Sequence, residues 1–197
     1  MLTAGSKQPA VIKLDYANTH REIVEACKKG DRQAQFELYR LYGKAMYNVC
    51  LRMVKNETDA EDLLQNSFVD IFTKLNSFRF QSSIGAWIKR IVINNCINFL
   101  KKRRLAIEEL DVERHDHSPQ SETKPVVGLS VELIKTAMME LPDGYRVVFS
   151  LYMLEGYDHK EIGEILGVTE ATSKSQYSRA KRKLQEILMN RKQSSNY

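Results

Sequence analysis

The chain has 197 residues, of which 43% are hydrophobic, so it can bury a core, which argues against wholesale disorder. With only 4 Pro and 9 Gly, its composition favours long helices over a turn-rich β architecture. The net charge of +5 is uneven: residues 1–105 carry a net +8, residues 106–129 a net −4 and residues 130–197 a net +1. Two basic segments separated by an acidic one indicate two contacts with a polyanion.

The three cysteines, Cys27, Cys50 and Cys96, lie far apart, each within an apolar helical pattern. This arrangement predicts reduced, buried thiols in a cytoplasmic protein rather than a disulfide framework. The sequence shows no charged-then-apolar leader at its start and no apolar run of the roughly 20 residues needed to cross a membrane. We therefore expect no membrane insertion.

Residues 1–18 lack helical periodicity and are interpreted as an N-terminal arm. The pattern becomes helical at Thr19, and Thr19 or Asp31 is suited to cap the helices that follow. Thr58 is predicted to cap a later helix whose first turn is acidic. Between them lies a long amphipathic segment. Its apolar residues recur three and four positions apart and are predicted to face inward: Phe36, Tyr39, Tyr42, Met46, Val49, Cys50 and Met53.

A polar loop with two aromatic residues is predicted over residues 76–85, and Trp87 then opens a helix that ends in a basic run. The acidic stretch that follows contains Pro119 and Pro125 and is interpreted as a flexible linker. The predicted fold is all-α, with two small helical domains joined by that linker. Its predicted parts are the arm 1–18, a first domain 19–105, the linker 106–129, a second domain 130–190 and a tail 191–197.

The second domain carries the spacing of a helix-turn-helix. Gly167 can supply the left-handed conformation of the turn, Val168 is the apolar residue between the helices, and Thr169 can cap the second helix. That helix is predicted to bury Tyr177, Ala180, Leu184 and Leu188 and to expose Lys174, Ser175, Gln176, Ser178, Arg179, Lys181, Arg182 and Lys183. Arg and Gln can contact base edges in a major groove, and Lys and Ser can contact phosphates. The alternative is a surface helical hairpin with a solvated basic face.

Several segments of the second domain resemble the C-terminal, promoter-reading domain of extracytoplasmic-function sigma factors. These are Leu141-Pro142, Val147 to Leu154, Glu155-Gly156-Tyr157, Glu161 to Gly167, Thr172, and Arg179 to Leu184. In the first domain, Asp59 to Phe68 is similar to the polymerase-binding helix of that family. The promoter-melting segment of the family is similar to Phe78-Arg79, Trp87 to Asn94 and Arg103-Arg104.

The resemblance implies a sigma factor that binds core RNA polymerase and promoter DNA and is held by an anti-sigma factor. Polymerase docking would use Asp59, Asp62, Gln65 and Phe68. Contacts with the minus-10 element would use Phe78, Arg79, Phe80, Trp87, Arg90, Asn94 and Asn98. The minus-35 element would be read by Lys174, Ser175, Gln176, Ser178, Arg179 and Arg182. The sequence departs from the family at Ser173, Gln176 and Asn98, which predicts looser packing of the recognition helix at Ser173 and leaves the DNA sequence undefined.

Structural roles remain open for the same residues. Phe78, Phe80 and Trp87 could pack in the core, and at least one of the two phenylalanines is expected there. The acidic residues around Asp59 could simply cap their helix, and the basic run Lys101–Arg104 could simply favour the dipole at its helix end.

No motif for catalysis, a cofactor or a metal is present: the sequence lacks a phosphate-binding glycine loop and HExxH or CxxC spacing. His115 and His117 are assigned to a solvated linker. Two rivals stay open. One is a helix-turn-helix activator that binds duplex DNA as a dimer. The other is a metal-dependent nuclease using Asp59, Glu61 and Asp62.

Overall fold

The computed structural model describes residues 19–108 and 131–194. Within these residues the chain forms α-helices and one 3₁₀ turn at Leu75–Ser77, with no β-strand, which confirms the all-α prediction. The helices are α1 (Arg21–Lys28), α2 (Arg32–Val54), α3 (Glu57–Lys74), α4 (Ile84–Glu108), α5 (Val131–Glu140), α6 (Asp143–Met153), α7 (His159–Leu166) and α8 (Glu170–Ser194). None of the described helices is long and apolar enough to cross a membrane.

Of the three helix caps predicted in the N-terminal half, one is confirmed and two are wrong. Asp31 caps α2, since its Oδ1 accepts hydrogen bonds from the backbone N–H groups of Gln33 at 2.8 Å and Ala34 at 3.1 Å. Thr19 does not cap α1, which follows His20 in a left-handed conformation. Thr58 lies inside α3, because Asn56 caps that helix by accepting from the Asp59 N–H at 2.8 Å. An asparagine two residues before Thr58 thus satisfies the orphan amide.

Helices α1, α3 and α4 pack around α2, and the inward residues of all four form one apolar core. The prediction that Phe36 and Tyr39 face inward is wrong: their side chains are 65% and 40% exposed. The apolar stripe is buried only from Tyr42 onward. The core residues include Leu38, Met46, Val49, Met53, Leu63, Leu64, Phe68, Ile71, Ile84, Ile88, Val92 and Ile97.

The C-terminal helices divide their apolar side chains between two cores. Helices α5, α6 and α8 enclose a small core of their own, with Ala137, Met138, Leu141, Phe149, Ala180, Leu184 and Leu188. The other side of α6 and the inner face of α7 join the N-terminal core through Val147, Val148, Leu151, Ile162 and Ile165. The two halves of the chain therefore pack together, with α6 between them.

Arg146 connects the two halves and is fully buried. Its Nε donates to the carbonyl of Arg52 at 2.8 Å and its Nη2 to the carbonyl of Met53 at 2.9 Å. Its Nη1 donates to the carbonyl of Leu141 at 3.1 Å and to Asp143 Oδ1 at 2.8 Å. The last carbonyls of a helix have no partner within it, so Arg146 satisfies the C-terminus of α2 with a side chain from α6.

Two helices extend past the predicted boundaries. Helix α4 continues to Glu108, three residues into the predicted linker, and α8 continues to Ser194, four residues past residue 190. Neither extension contains Gly or Pro, so nothing in the local sequence stops the helix there. The arm 1–18, linker residues 109–129 with His115 and His117, and residues 195–197 of the tail lie outside the described residues.

The three thiols are all free and buried, as predicted. Burial raises the pKa of Cys27, and a hydrogen bond with Cys50 together with burial raises the pKa of Cys96. Because the thiolate is the reactive form, both side chains should stay inert at pH 8. Because all three thiols are buried, we expect Ellman's reagent to react slowly with the native chain and to reach all three only once urea is added. Fast reaction of the native chain would show that these packed helices open readily.

Candidate nucleic-acid and polymerase interfaces

Four of the residues predicted to contact the minus-10 element form a polar face along α4. Trp87, Arg90, Asn94 and Asn98 are spaced three and four apart, so they share one side of the helix. The two asparagines are exposed, and Trp87 and Arg90 are half-buried. Opposite this face, Ile88, Val92 and Ile93 are buried and anchor α4. The face presents amide and guanidinium groups suited to bases and phosphates.

The loop before α4 places its two phenylalanines differently. Phe78 is only 3% exposed, so its predicted contact with DNA is corrected to a core role, in which its ring lies 5.3 Å from that of Trp87. Phe80 is half-buried in a left-handed conformation, and the cations of Arg21 and Lys28 lie 4.4 and 4.6 Å from its ring centre. Arg79 is exposed. Of the three loop residues predicted to contact DNA, Arg79 is exposed and Phe80 is partly exposed.

The N-terminal end of the α4 face is covered by the turn between α6 and α7. Lys89 Nζ donates to the Glu155 carbonyl at 3.1 Å and pairs with Glu155 Oε2 at 3.3 Å. The Arg90 guanidinium lies 5.8 Å from the centre of the Tyr157 ring. Neither contact was predicted from the sequence, since these residues are some 66 positions apart.

The helix-turn-helix of α7 and α8 forms as the sequence predicts. Gly167 ends α7 in a left-handed conformation with φ 74°, and Thr169 Oγ1 accepts from the Thr172 N–H at 3.0 Å. A Cβ at Gly163 would lie 2.8 Å from the carbonyl oxygen of Val168, so the turn presses directly on α7. Ala180, Leu184 and Leu188 are buried and Tyr177 is half-buried, which fixes which side of α8 faces outward.

Most predicted minus-35 residues lie on the outer side of α8. Lys174, Ser175 and Ser178 are exposed, and Gln176 and Arg179 are half-buried. Lys174 pairs with Glu170 at 2.7 Å, and the Arg182 side chain, 27% exposed, lies 3.9 Å from Glu186. Both ion pairs involve partly exposed side chains and are weak, so a phosphate can compete with the two glutamates.

Gln176 differs from its neighbours because it faces the rest of the chain. It lines a cleft of about 370 Å³ between the two halves, together with Lys101 and Arg103 of α4, Gly144 of α6 and Val168. Val168, the residue between the two helices of the motif, thus lines this cleft as well.

The expectation of loose packing at Ser173 is wrong. Ser173 is fully buried, and its Oγ lies 3.0 Å from His159 Nδ1 at the start of α7. The His159 ring stacks on Tyr152 at 4.5 Å. A polar pair thus replaces the apolar contact between α7 and α8, and no local pattern in the sequence signals a pairing across the turn.

The predicted polymerase-docking residues lie on α3, but not all at its surface. Asp62 and Gln65 are exposed, and Asp59 is half-buried with a carboxylate oxygen 3.9 Å from Arg103. Phe68 is only 4% exposed, so its predicted role is corrected: it supports the surface from beneath, packed edge-to-face with Tyr39 at 4.7 Å.

Sequence analysis missed an apolar patch beside those residues. Phe36 and Val69 are each 65% exposed, and Tyr39 is 40% exposed. Tyr39 and Gln65 line a groove of about 430 Å³ between α2 and α3. The sequence does contain a sign of this patch: the row of apolar residues on α2 is longer than the part that the neighbouring helices can cover. Exposed aromatic and aliphatic side chains next to polar ones are typical of a protein-binding surface.

The nuclease hypothesis gains no support from the described residues. Among them, no three His, Cys, Asp or Glu side chains are grouped closely enough to hold a metal ion. Asp59 points toward Arg103, whereas Asp62 faces solvent, so the acidic residues of α3 diverge.

The geometry defines a class: an all-α DNA-binding protein with a C-terminal helix-turn-helix and a second polar helix face in its N-terminal half. Two family models agree with both halves. Sigma-70 region 2 matches residues 38–106, and Sigma-70, region 4 matches residues 132–184. The chain belongs to the sigma-70 family, as an extracytoplasmic-function sigma factor that directs promoter-specific transcription initiation.

Similar proteins are named as ECF sigma factors and match this chain over most of their length. The chain is 29% identical over 179 residues to the ECF RNA polymerase sigma factor SigW of Bacillus subtilis, covering 85% of this chain and 96% of that protein. It is 25% identical over 178 residues to the ECF RNA polymerase sigma factor SigM of Mycobacterium tuberculosis, strain Erdman, covering 88% and 86%.

Two solved structures are similar in fold. The sigma factor RpoE of Bartonella quintana, in complex with the anti-sigma factor NepR, gives a TM-score of 0.54 at 25% identity, covering 78% of this chain and 95% of that one. CnrH, in complex with the cytosolic domain of CnrY, gives a TM-score of 0.53 at 23% identity, covering 86% and 97%.

Proposed function

We propose that this sigma factor contacts a promoter through two faces of its own helices while a third surface docks on core RNA polymerase. The observation that carries this proposal is that the residues suited to DNA contact lie on the outer sides of α4 and α8, in the two segments that match sigma regions 2 and 4. The chain acts by binding, not by catalysis, and works in the cytoplasm, where polymerase and promoter DNA are found.

The α4 face contacts the minus-10 element. Asn94 and Asn98 are exposed and supply amide donors and acceptors to unstacked bases, and Arg79 and Arg90 supply positive charge. Extruding a base costs a few kcal/mol, and one stacking contact returns about 1–3 kcal/mol. The chain can thus trap one or two bases, and the polymerase must supply the rest of strand opening.

The outer side of α8 contacts the minus-35 element in duplex form. Its N-terminal half carries Ser175, Ser178 and Arg179 toward solvent, the part of a recognition helix that meets base edges. Lys174 and Arg182 flank them and are suited to phosphates.

Polymerase docking uses the patch formed by Phe36, Tyr39 and Val69 together with Asp62 and Gln65. We expect Val69→Arg to weaken binding to core polymerase at least about tenfold, because a charge would be buried where an apolar side chain now lies. Val69 is 65% exposed, so folding should be unaffected. The measurement is a fluorescence titration of labelled chain with purified core enzyme.

The matched control is Asn48→Arg, which adds the same charge at another exposed position of the N-terminal half. Equal affinities for the two variants would remove Val69 from the docking surface. Because the similar sigma factor RpoE of Bartonella quintana was solved with the anti-sigma factor NepR, we propose an anti-sigma partner here as well.

The decisive experiment is a pull-down with core polymerase, followed by transcription from a library of genomic fragments. We expect the monomeric chain to bind the core enzyme and to select promoters only in that complex. Sequence-specific binding to a palindrome by a dimer, without polymerase association, would support the rival activator instead.

A further inference from the structure

Helix α1 contacts the loop that leads into α4. Lys28, the last residue of α1, donates from Nζ to the carbonyl oxygen of Phe78 at 3.1 Å, across 50 positions of the chain. The same ammonium group lies 3.3 Å from Glu25 Oε1, and the Lys28 side chain is only 17% exposed. An ammonium group that is largely removed from water needs such acceptors, so Lys28 ties the loop to α1.

Two cations of α1 also lie against the ring of Phe80. Lys28 Nζ is 4.6 Å and Arg21 Cζ is 4.4 Å from the ring centre. Both lie within the range of about 6 Å at which a cation is attracted to the face of an aromatic ring. The ring of Phe78 packs against the same side chain, with the two ring centres 4.8 Å apart. Phe80 is therefore held in place by α1 and by its own loop, and less of its ring face is left for a stacked base.

The backbone of the loop is strained at the residue that these contacts hold. Phe80 has a φ of 57°, in the left-handed region that a bulky side chain rarely adopts. Such a conformation persists only where the surrounding structure enforces it, and residues of this kind are concentrated at ligand-binding segments. Arg79 on one side of it and Gln81 and Ser82 on the other are exposed. The conformation of Phe80 thus sets the direction in which these exposed residues leave the core.

We propose that Lys28 is a positioning residue for the minus-10 loop, residues 78–83: it holds Phe80 in the left-handed conformation and so fixes Arg79 and Gln81 for the capture of a promoter base. This role rests on the proposed minus-10 contact. It adds α1, which lies before residue 38, where the match to Sigma-70 region 2 begins. A loop that is ordered before DNA arrives loses less conformational entropy when it binds a base, so Lys28 contributes without touching DNA.

Cleavage by an arginine-specific protease tests the positioning in the free chain, without DNA or polymerase. The bond after Arg79 is followed by the masses of the fragments, because this bond joins Arg79 to the left-handed residue. We expect Lys28→Met to speed this cleavage about tenfold, because Met keeps the apolar stem but removes the charge and the donor. Lys28→Arg keeps both and should be cleaved near the wild-type rate. Lys29→Met, at the exposed next residue, is the matched control.

Strand opening with core polymerase tests the consequence for the promoter. All three variants should bind the core enzyme and form closed complexes with wild-type affinity. On a promoter selected with the wild-type chain and labelled with 2-aminopurine in its minus-10 element, Lys28→Met should slow the rise in fluorescence about tenfold. Lys28→Arg and Lys29→Met should open this promoter at the wild-type rate. A loss confined to the opening step distinguishes positioning of the loop from a general loss of folded chain.

Circular dichroism must show that each variant keeps its helices, and Lys28→Gln takes the place of Lys28→Met if the latter does not fold. Cleavage after Arg79 at the wild-type rate in the folded variant would overturn the positioning role, and so would faster cleavage combined with wild-type promoter opening. Failure of the wild-type chain to open any promoter with core polymerase would instead reject the proposed function, whatever the protease result.

Discussion

Replacing Arg146 with Met is expected to lower the free energy of unfolding by about 3 kcal/mol, the largest stability effect foreseen for this chain. Met fills a similar volume but donates no hydrogen bond. The carbonyls of Arg52, Met53 and Leu141 would lose a donor in a region that water does not reach. Burial lowers the pKa of this guanidinium and Asp143 partly opposes that shift, and an arginine remains protonated at neutral pH in any case.

Urea unfolding followed by helical circular dichroism measures the effect. Arg40→Met is the control, because Arg40 pairs with Glu37 at 2.6 Å on the surface, and we expect its unfolding midpoint to match the wild type. Equal midpoints for both variants would mean that solvent replaces the Arg146 contacts.

The double change Arg179→Ala and Arg182→Ala is expected to reduce promoter-dependent transcription by roughly two orders of magnitude. A contact of Arg179 with a base is worth about 1–3 kcal/mol, and the loss of a phosphate contact of Arg182 adds to it. The two side chains lie one helical turn apart on α8. Both are partly exposed, so their removal should leave the helix intact. Run-off transcription with core polymerase on a selected promoter is the measurement.

The single variants separate the two kinds of contact. An arginine that contacts a base should relax specificity at one promoter position when replaced. An arginine that contacts phosphate should weaken all promoters equally and lower the salt dependence of binding. Lys135→Ala, on exposed α5, controls for loss of positive charge. Full activity of the double variant would remove α8 as the recognition helix.

Sequence reasoning succeeded where the determinant is local. Gly167 and Thr169 fix the helix-turn-helix through backbone conformation and a capping hydrogen bond, both of which depend on a few neighbouring residues. The residues of the α4 face came from the resemblance to sigma factors, because composition and periodicity could not assign them.

Sequence reasoning failed where the burial of a side chain depends on how far a neighbouring helix extends. The stripe on α2 predicts which side is apolar but not where α3 and α4 stop covering it, so Phe36 and Tyr39 were placed inside. The resemblance placed Phe78 among the DNA contacts, whereas the prediction that at least one of Phe78 and Phe80 lies in the core is confirmed by Phe78. The pairing of Ser173 with His159 crosses a turn and replaces a contact that the family usually makes with an apolar residue.

The contacts between the two halves were beyond sequence reasoning. Arg146 binds carbonyls 93 and 94 positions earlier, and Glu155 pairs with Arg52 across 103 positions. Backbone carbonyls occur at every residue, so nothing in the sequence marks those two as partners. The predicted flexible linker allows both a packed and a separated arrangement of the two halves.

Gly163 offers a way to make a conditional allele of this factor. Because an added methyl group would press on the Val168 carbonyl at 2.8 Å, Gly163→Ala must shift the backbone that leads into α8. Such crowding commonly costs about 1–3 kcal/mol, enough to be tolerated by a cool cell and not by a warm one. A strain carrying it would lose the regulon on a temperature shift, within minutes and without any change in protein supply.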